Sequence, residues 1–87
     1  MKEKLVELVG DKISSYNVFI DDVYFEEEGS ETFLRVVLDS INMIDLNTVV
    51  MVTRILNPII DKCDFIEKEN YILDVFAKSK GDVVNEQ

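Results

Sequence analysis

Eighty-seven residues with 47 % hydrophobic and 31 % charged content leave room for one hydrophobic core and exclude a second domain. No apolar run approaches the ~20 residues that cross a bilayer, so a membrane-spanning helix is excluded as well. Eighteen acids against nine bases give a net charge of -9, a field that repels phosphate backbones, argues against unaided nucleic-acid binding and favours a basic protein partner.

In chain order, Lys2 to Ser15 carries Leu5, Val6, Leu8, Val9 and Ile13 as an apolar stripe opposite charged residues, the pattern of an amphipathic helix. Gly10 lies inside it at a cost of about 1 kcal/mol relative to alanine, which close packing against a sheet would explain. Val18 to Glu26 predicts a strand in which Val18 and Ile20 are out of phase with Val23 and Phe25, so a bulge is expected near Asp21-Asp22. The polar connection Glu27-Glu28-Gly29-Ser30-Glu31 is short enough to make an antiparallel hairpin with the next strand.

That strand, Phe33 to Asp39, alternates Leu34, Val36 and Leu38 on an apolar face with Phe33, Arg35, Val37 and Asp39 on a mixed one. After the connection Ser40 to Ile44, Asp45 is placed to cap a helix, because its carboxylate can accept the free amide hydrogens of the first turn. Leu46, Val49, Val50, Thr53, Leu56, Ile59 and Ile60 recur at spacings of three and four and extend that helix to about Lys62. Pro58 offers no amide hydrogen to Arg54, and a kink or early end with an irregular last turn is expected there. Tyr71 to Phe76 predicts a third strand, and residues 77–87 a polar, disordered tail after a domain spanning 1–76.

These elements predict an α+β fold, an αββαβ two-layer domain with a three-stranded sheet and two helices packed on one face. Leu5, Val9, Ile13, Leu34, Val36, Leu38, Val49, Leu56, Ile60 and Leu73 form the expected core. The other face of the sheet is open, and Phe33, Val37 and Tyr24 are expected to be exposed on it unless a partner or a weakly associating second copy covers them.

The chemistry is defined mostly by what is missing. With no histidine the commonest general base and metal ligand is gone, and Cys63 has no imidazole to activate it. A lone cysteine forms no internal disulfide and fits a reducing compartment, here the cytoplasm, since Met1-Lys2-Glu3-Lys4 leads into charged, amphipathic sequence rather than a signal peptide. Gly10, Gly29 and Gly81 are isolated and make no phosphate-binding loop. The acidic clusters Asp21-Asp22 and Glu26-Glu27-Glu28 lack the spacing of a calcium loop, and neighbouring acids on a strand point to opposite faces. No catalytic residue, metal or cofactor is therefore expected. Glu26, Glu27, Glu28 and Glu31 form a solvated acidic rim whose functional role would be to dock a basic protein surface.

The order helix, strand, strand, helix, strand resembles the N-terminal domain of the bacterial ribosome maturation factor RimP, over about Leu5 to Val75. The resemblance rests on Asp22-Val23, the Glu28-Gly29 turn, Phe33-Leu34-Arg35-Val36 followed by Leu38-Asp39, Asp45-Leu46, Thr53-Arg54, Ile59-Ile60-Asp61 and Tyr71-Ile72-Leu73-Asp74-Val75. Where that family continues through Ser-Ser-Pro-Gly to a small β-barrel domain, this chain has Phe76-Ala77-Lys78-Ser79-Lys80-Gly81, as a trimmed member or a single-domain relative would. The resemblance implies non-enzymatic assistance in assembly of the small (30S) ribosomal subunit, through contact with a basic ribosomal protein or the immature subunit. The alternative is a generic α+β interaction or dimerisation domain that shares the fold without a ribosomal role.

Overall fold

The computed structural model describes residues 1–66 and 70–78. It contains α1 (Lys2–Ile13) followed by a 3-10 turn (Ser14–Tyr16), then β1 (Phe19–Glu28), β2 (Glu31–Asp39), α2 (Leu46–Asp61) and β3 (Ile72–Ala77). This is the expected α+β order. The strands lie in the order β1-β2-β3, with β1 antiparallel and β3 parallel to the central β2, so α2 is the crossover that brings the chain back alongside β2.

On α1 the buried residues are Leu5, Val9 and Ile13, one per turn, while Val6 and Leu8 are exposed. The stripe is narrower than expected because α1 lies over the β1 side of the sheet and beside α2, leaving its flanks to solvent. Gly10 has no packing rationale: a β-carbon there would meet nothing within 4 Å. The chain leaves the 3-10 turn through Asn17, whose φ of 63° is left-handed and whose amide donates to the Ser14 carbonyl, a conformation asparagine tolerates better than most residues.

β1 and β2 are joined by Gly29-Ser30. A positive φ at Gly29 and not at Ser30 is the pattern of a type II′ turn, whose twist matches the flanking strands. The pairing shifts between Ile20 and Asp22, which places the expected bulge at Asp21 and brings Val18, Ile20 and Val23 all into the core. From β2, Leu34, Val36 and Leu38 are fully buried on the face covered by both helices.

The link from β2 to α2 is held by short side-chain bonds: the Ser40 amide donates to Asp39 Oδ1 at 2.8 Å and the Asn42 amide to Ser40 Oγ at 3.2 Å. Asp45 caps α2, its Oδ1 accepting from the Thr48 amide at 2.8 Å. The buried seam of α2 is Val52, Leu56 and Ile60, with Val49 and Ile59 half-buried beside it. Leu46 is 77 % exposed and Val50 39 % exposed, contrary to the stripe read from spacing. Both positions satisfy the helical period, but Val50 stands at the margin of α2, beside a groove shared with Leu73 and Val75 of β3, and Leu46 lies one turn earlier on the same flank. α2 passes through Pro58 to Asp61 without ending early, and its last bonds tighten to i−3, from Lys62 to Ile59 and from Cys63 to Ile60.

Eight of the ten expected core residues are buried, and Val49 and Leu73 are half-buried against them; Val52 and Val75 complete the contact between α2 and the sheet. Val37 differs from expectation. It is only 7 % exposed although it faces away from the helices, because it sits on the central strand between Asp22 of β1 and Phe76 of β3. The tail expected at 77–87 lies, from residue 79 onward, outside the described residues.

Candidate protein-interaction site on the open face of the sheet

The two-residue periodicity of the strands sends every second side chain away from the helices. From β1 these include Tyr24, Glu26 and Glu28, from β2 Glu31, Phe33 and Arg35, and from β3 Ile72 and Asp74. Four of these eight side chains are acidic and one is basic.

At its centre stands Arg35. The register places Arg35 level with Tyr24 on one side and Asp74 on the other. Its side chain runs along β2 towards the hairpin with the guanidinium carbon 4.5 Å from the centre of the Phe33 ring. There Nε meets Glu26 Oε1 at 3.0 Å and Nη2 meets Glu28 Oε2 at 2.5 Å, while Nη1 meets Asp74 Oδ2 at 2.5 Å. All three strands are thus joined through one guanidinium. The hydrogen bond to Asp74, followed by the Glu26 and Glu28 charges, outweighs partial burial and raises the Arg35 pKa further. The Arg35 side chain is 13 % exposed, whereas its three carboxylate partners are open to solvent. A second tie crosses the far end of the same face, where Lys78 Nζ lies 3.5 Å from Asp21 Oδ1 at the bulge.

The four glutamates of the expected rim therefore divide. Glu26 and Glu28 are held by Arg35. Glu27 pairs with Thr32, so its side chain belongs to the other face, and Glu31 stands across from Glu28; both are exposed. Sequence reasoning missed Arg35 as the organiser of this surface. The hairpin register alone puts Glu26 diagonal to Arg35, a signal present in the Gly29-Ser30 spacing, but the Asp74 contact depends on the parallel register of β3, which no local pattern reports.

The face offers carboxylate oxygens around a partly apolar floor of Phe33, Tyr24 and Ile72. Such an arrangement can accept lysine or arginine side chains while covering their aliphatic stems. Among the described residues no group of three or more histidine, cysteine or carboxylate side chains is disposed to hold a metal ion. The Cys63 thiol is half-buried, donates to the Ile59 carbonyl at 3.3 Å and has its pKa pushed up, first by burial and then by Asp64, which keeps it in the unreactive protonated form. No helix among the described residues is long and apolar enough to cross a membrane.

The family model described as the RimP N-terminal domain matches residues 8–77. That span begins within α1, contains every strand of the sheet and ends on the last residue of β3. The chain thus belongs to the RimP N-terminal domain family, the ribosome maturation factor family its sequence resembles.

Proposed function

We propose that this domain acts without catalysis in the cytoplasm as a maturation factor for the small (30S) ribosomal subunit, binding a basic ribosomal protein or the immature subunit. The observation that supports this most directly is the surplus of carboxylates on the open sheet face of a RimP N-terminal-family domain whose net charge is -9. A surface of that sign is complementary to lysine- and arginine-rich proteins and disfavours naked RNA. Membership of the family supports the ribosomal setting, and the charge supports a protein rather than a nucleic-acid contact.

Cosedimentation of the purified chain with free small subunits at low salt tests the proposal. The expected result is recovery in the subunit fraction that declines as salt rises. Complete absence from that fraction at low salt would mean that this domain alone lacks the activity. Glu27→Gln with Glu31→Gln is the cleaner probe of the hairpin rim, Glu31 on the open face and Glu27 behind it, since neither residue holds Arg35 and the sheet is left intact. If the rim borders the contact, the double variant binds more weakly with an unchanged melting curve.

A further inference from the structure

The two outer edges of the sheet are protected unequally. β1 has a bulge at Asp21 and carries Asp21, Asp22, Glu26, Glu27 and Glu28, devices that discourage a further strand from pairing. β3 has none of them: its sequence is Ile72-Leu73-Asp74-Val75-Phe76-Ala77, with a single charge and no bulge or proline. The Lys78 amide donates to the Leu38 carbonyl of β2 at 2.7 Å. Backbone groups alternate along a strand, so Leu73, Val75 and Ala77 direct their amides and carbonyls outward. No residue among those described pairs with that edge.

Beside this edge runs a groove lined by Val49, Val50, Thr53 and Arg54 of α2 and by Leu73 and Val75 of β3. Val50 in this lining is exposed, as is Leu46 one turn earlier on the same flank of α2. Among the described residues, a strand edge without a pairing partner and an exposed apolar helix flank thus lie side by side. The strip carries little net charge on a molecule that is otherwise strongly acidic, Arg54 standing on one wall and Asp74 on the strand.

We propose that this strip is a self-association surface, on which β3 of a second copy pairs antiparallel with β3. Two copies of net charge -9 repel one another over most approaches, and on this strip that repulsion is weak, because Arg54 and Asp74 offset one another and a two-fold contact brings each towards its opposite on the other copy. A two-fold axis perpendicular to the sheet makes the contact isologous. It extends the three strands to a continuous six-stranded sheet, pairs the outward groups of Leu73 and Val75, and sets the Leu46 and Val50 flank of α2 against its counterpart. Both acidic faces then lie on the same side, so the inference stands apart from the ribosomal reading and neither depends on the other.

Sedimentation equilibrium over a wide concentration range, combined with amide hydrogen exchange, tests it. The weight-average mass is expected to rise towards twice the monomer value as concentration increases, with the Leu73 and Val75 amides exchanging at least ~10-fold more slowly in the same range. Val50→Glu changes an exposed side chain and places like charges near the axis. It is expected to hold the chain at monomer mass with an unchanged melting curve, whereas Glu27→Gln leaves the association in place. A monomer mass at the highest concentration overturns the proposal. Protection of Leu73 and Val75 that is independent of concentration also overturns it, because a segment of the same chain would then occupy the edge.

Discussion

Arg35 organises the open face because its guanidinium forms ion pairs with carboxylates on both neighbouring strands. Exposed ion pairs are individually weak and are screened by salt, but a single guanidinium shared among three carboxylates orders one long side chain for several bonds. Replacing Arg35 with methionine keeps most of the cover over Phe33 while leaving Glu26, Glu28 and Asp74 to repel one another. The variant should unfold at a lower temperature, and added salt should narrow the gap from the parent by screening that repulsion; a gap independent of salt would show that packing over Phe33, not charge, is the contribution of Arg35. Asp45 acts on α2 in a different way. The Thr48 amide holds its carboxyl below the usual aspartate range, so the folded state binds its proton less readily than the unfolded chain. Its contribution is therefore complete above the ordinary aspartate pKa and is lost as pH falls through the lowered folded-state value. Asp45→Ala should lower the melting temperature at neutral pH and lose that segment of the acid dependence, and parallel acid titrations of the two proteins would check it.

At the scale of elements, burial on α2 follows position over the sheet more closely than helical period. Leu46 and Leu56 both fit the apolar stripe, yet Leu56 is fully buried and Leu46 is 77 % exposed. Leu56→Ala should cost about 2 to 5 kcal/mol and Leu46→Ala less than about 0.5 kcal/mol in denaturant unfolding of the monomer. α1 provides the converse case. Gly10 is helical with open space where a β-carbon would stand, so Gly10→Ala should stabilise by about 0.5 to 1 kcal/mol. Gly29→Ala should destabilise, since its φ of +63° is a left-handed conformation. Local rules made much of this legible: the alternation of Leu34, Val36 and Leu38, the Asp45 cap, the bulge at Asp21 and the turn at Gly29-Ser30 are short-range signals. The choice of Val52 over Val50 for the core and the burial of Val37 were not legible. Both depend on where β3 settles, and its parallel pairing to β2 is a contact between segments separated by the whole of α2. The Arg35 cluster lay half within reach for the same reason, its hairpin partners local and its Asp74 partner remote.

On the scale of the whole molecule, the excess charge of the described residues is unevenly spread: β1, β2 and their hairpin carry most of the surplus carboxylates, whereas Asp74 is the one charge within β3. An acidic face of this kind acts at a distance, steering a basic protein towards one side before any contact forms, and complementary rims act on association rate more than on lifetime. Exposed charges are screened over about 8 Å at physiological ionic strength. Association with a basic small-subunit protein should therefore slow by about 10-fold between low and physiological salt, while the dissociation rate changes little. Glu27→Gln with Glu31→Gln should reduce both the rate and its dependence on salt, because it removes two field charges and leaves the Arg35 cluster as it was. Stopped-flow measurements over a salt series separate the two rates. If the double variant instead dissociates faster with an unchanged association rate, Glu27 and Glu31 make direct bonds in the complex, and steering must be assigned to the carboxylates around Arg35.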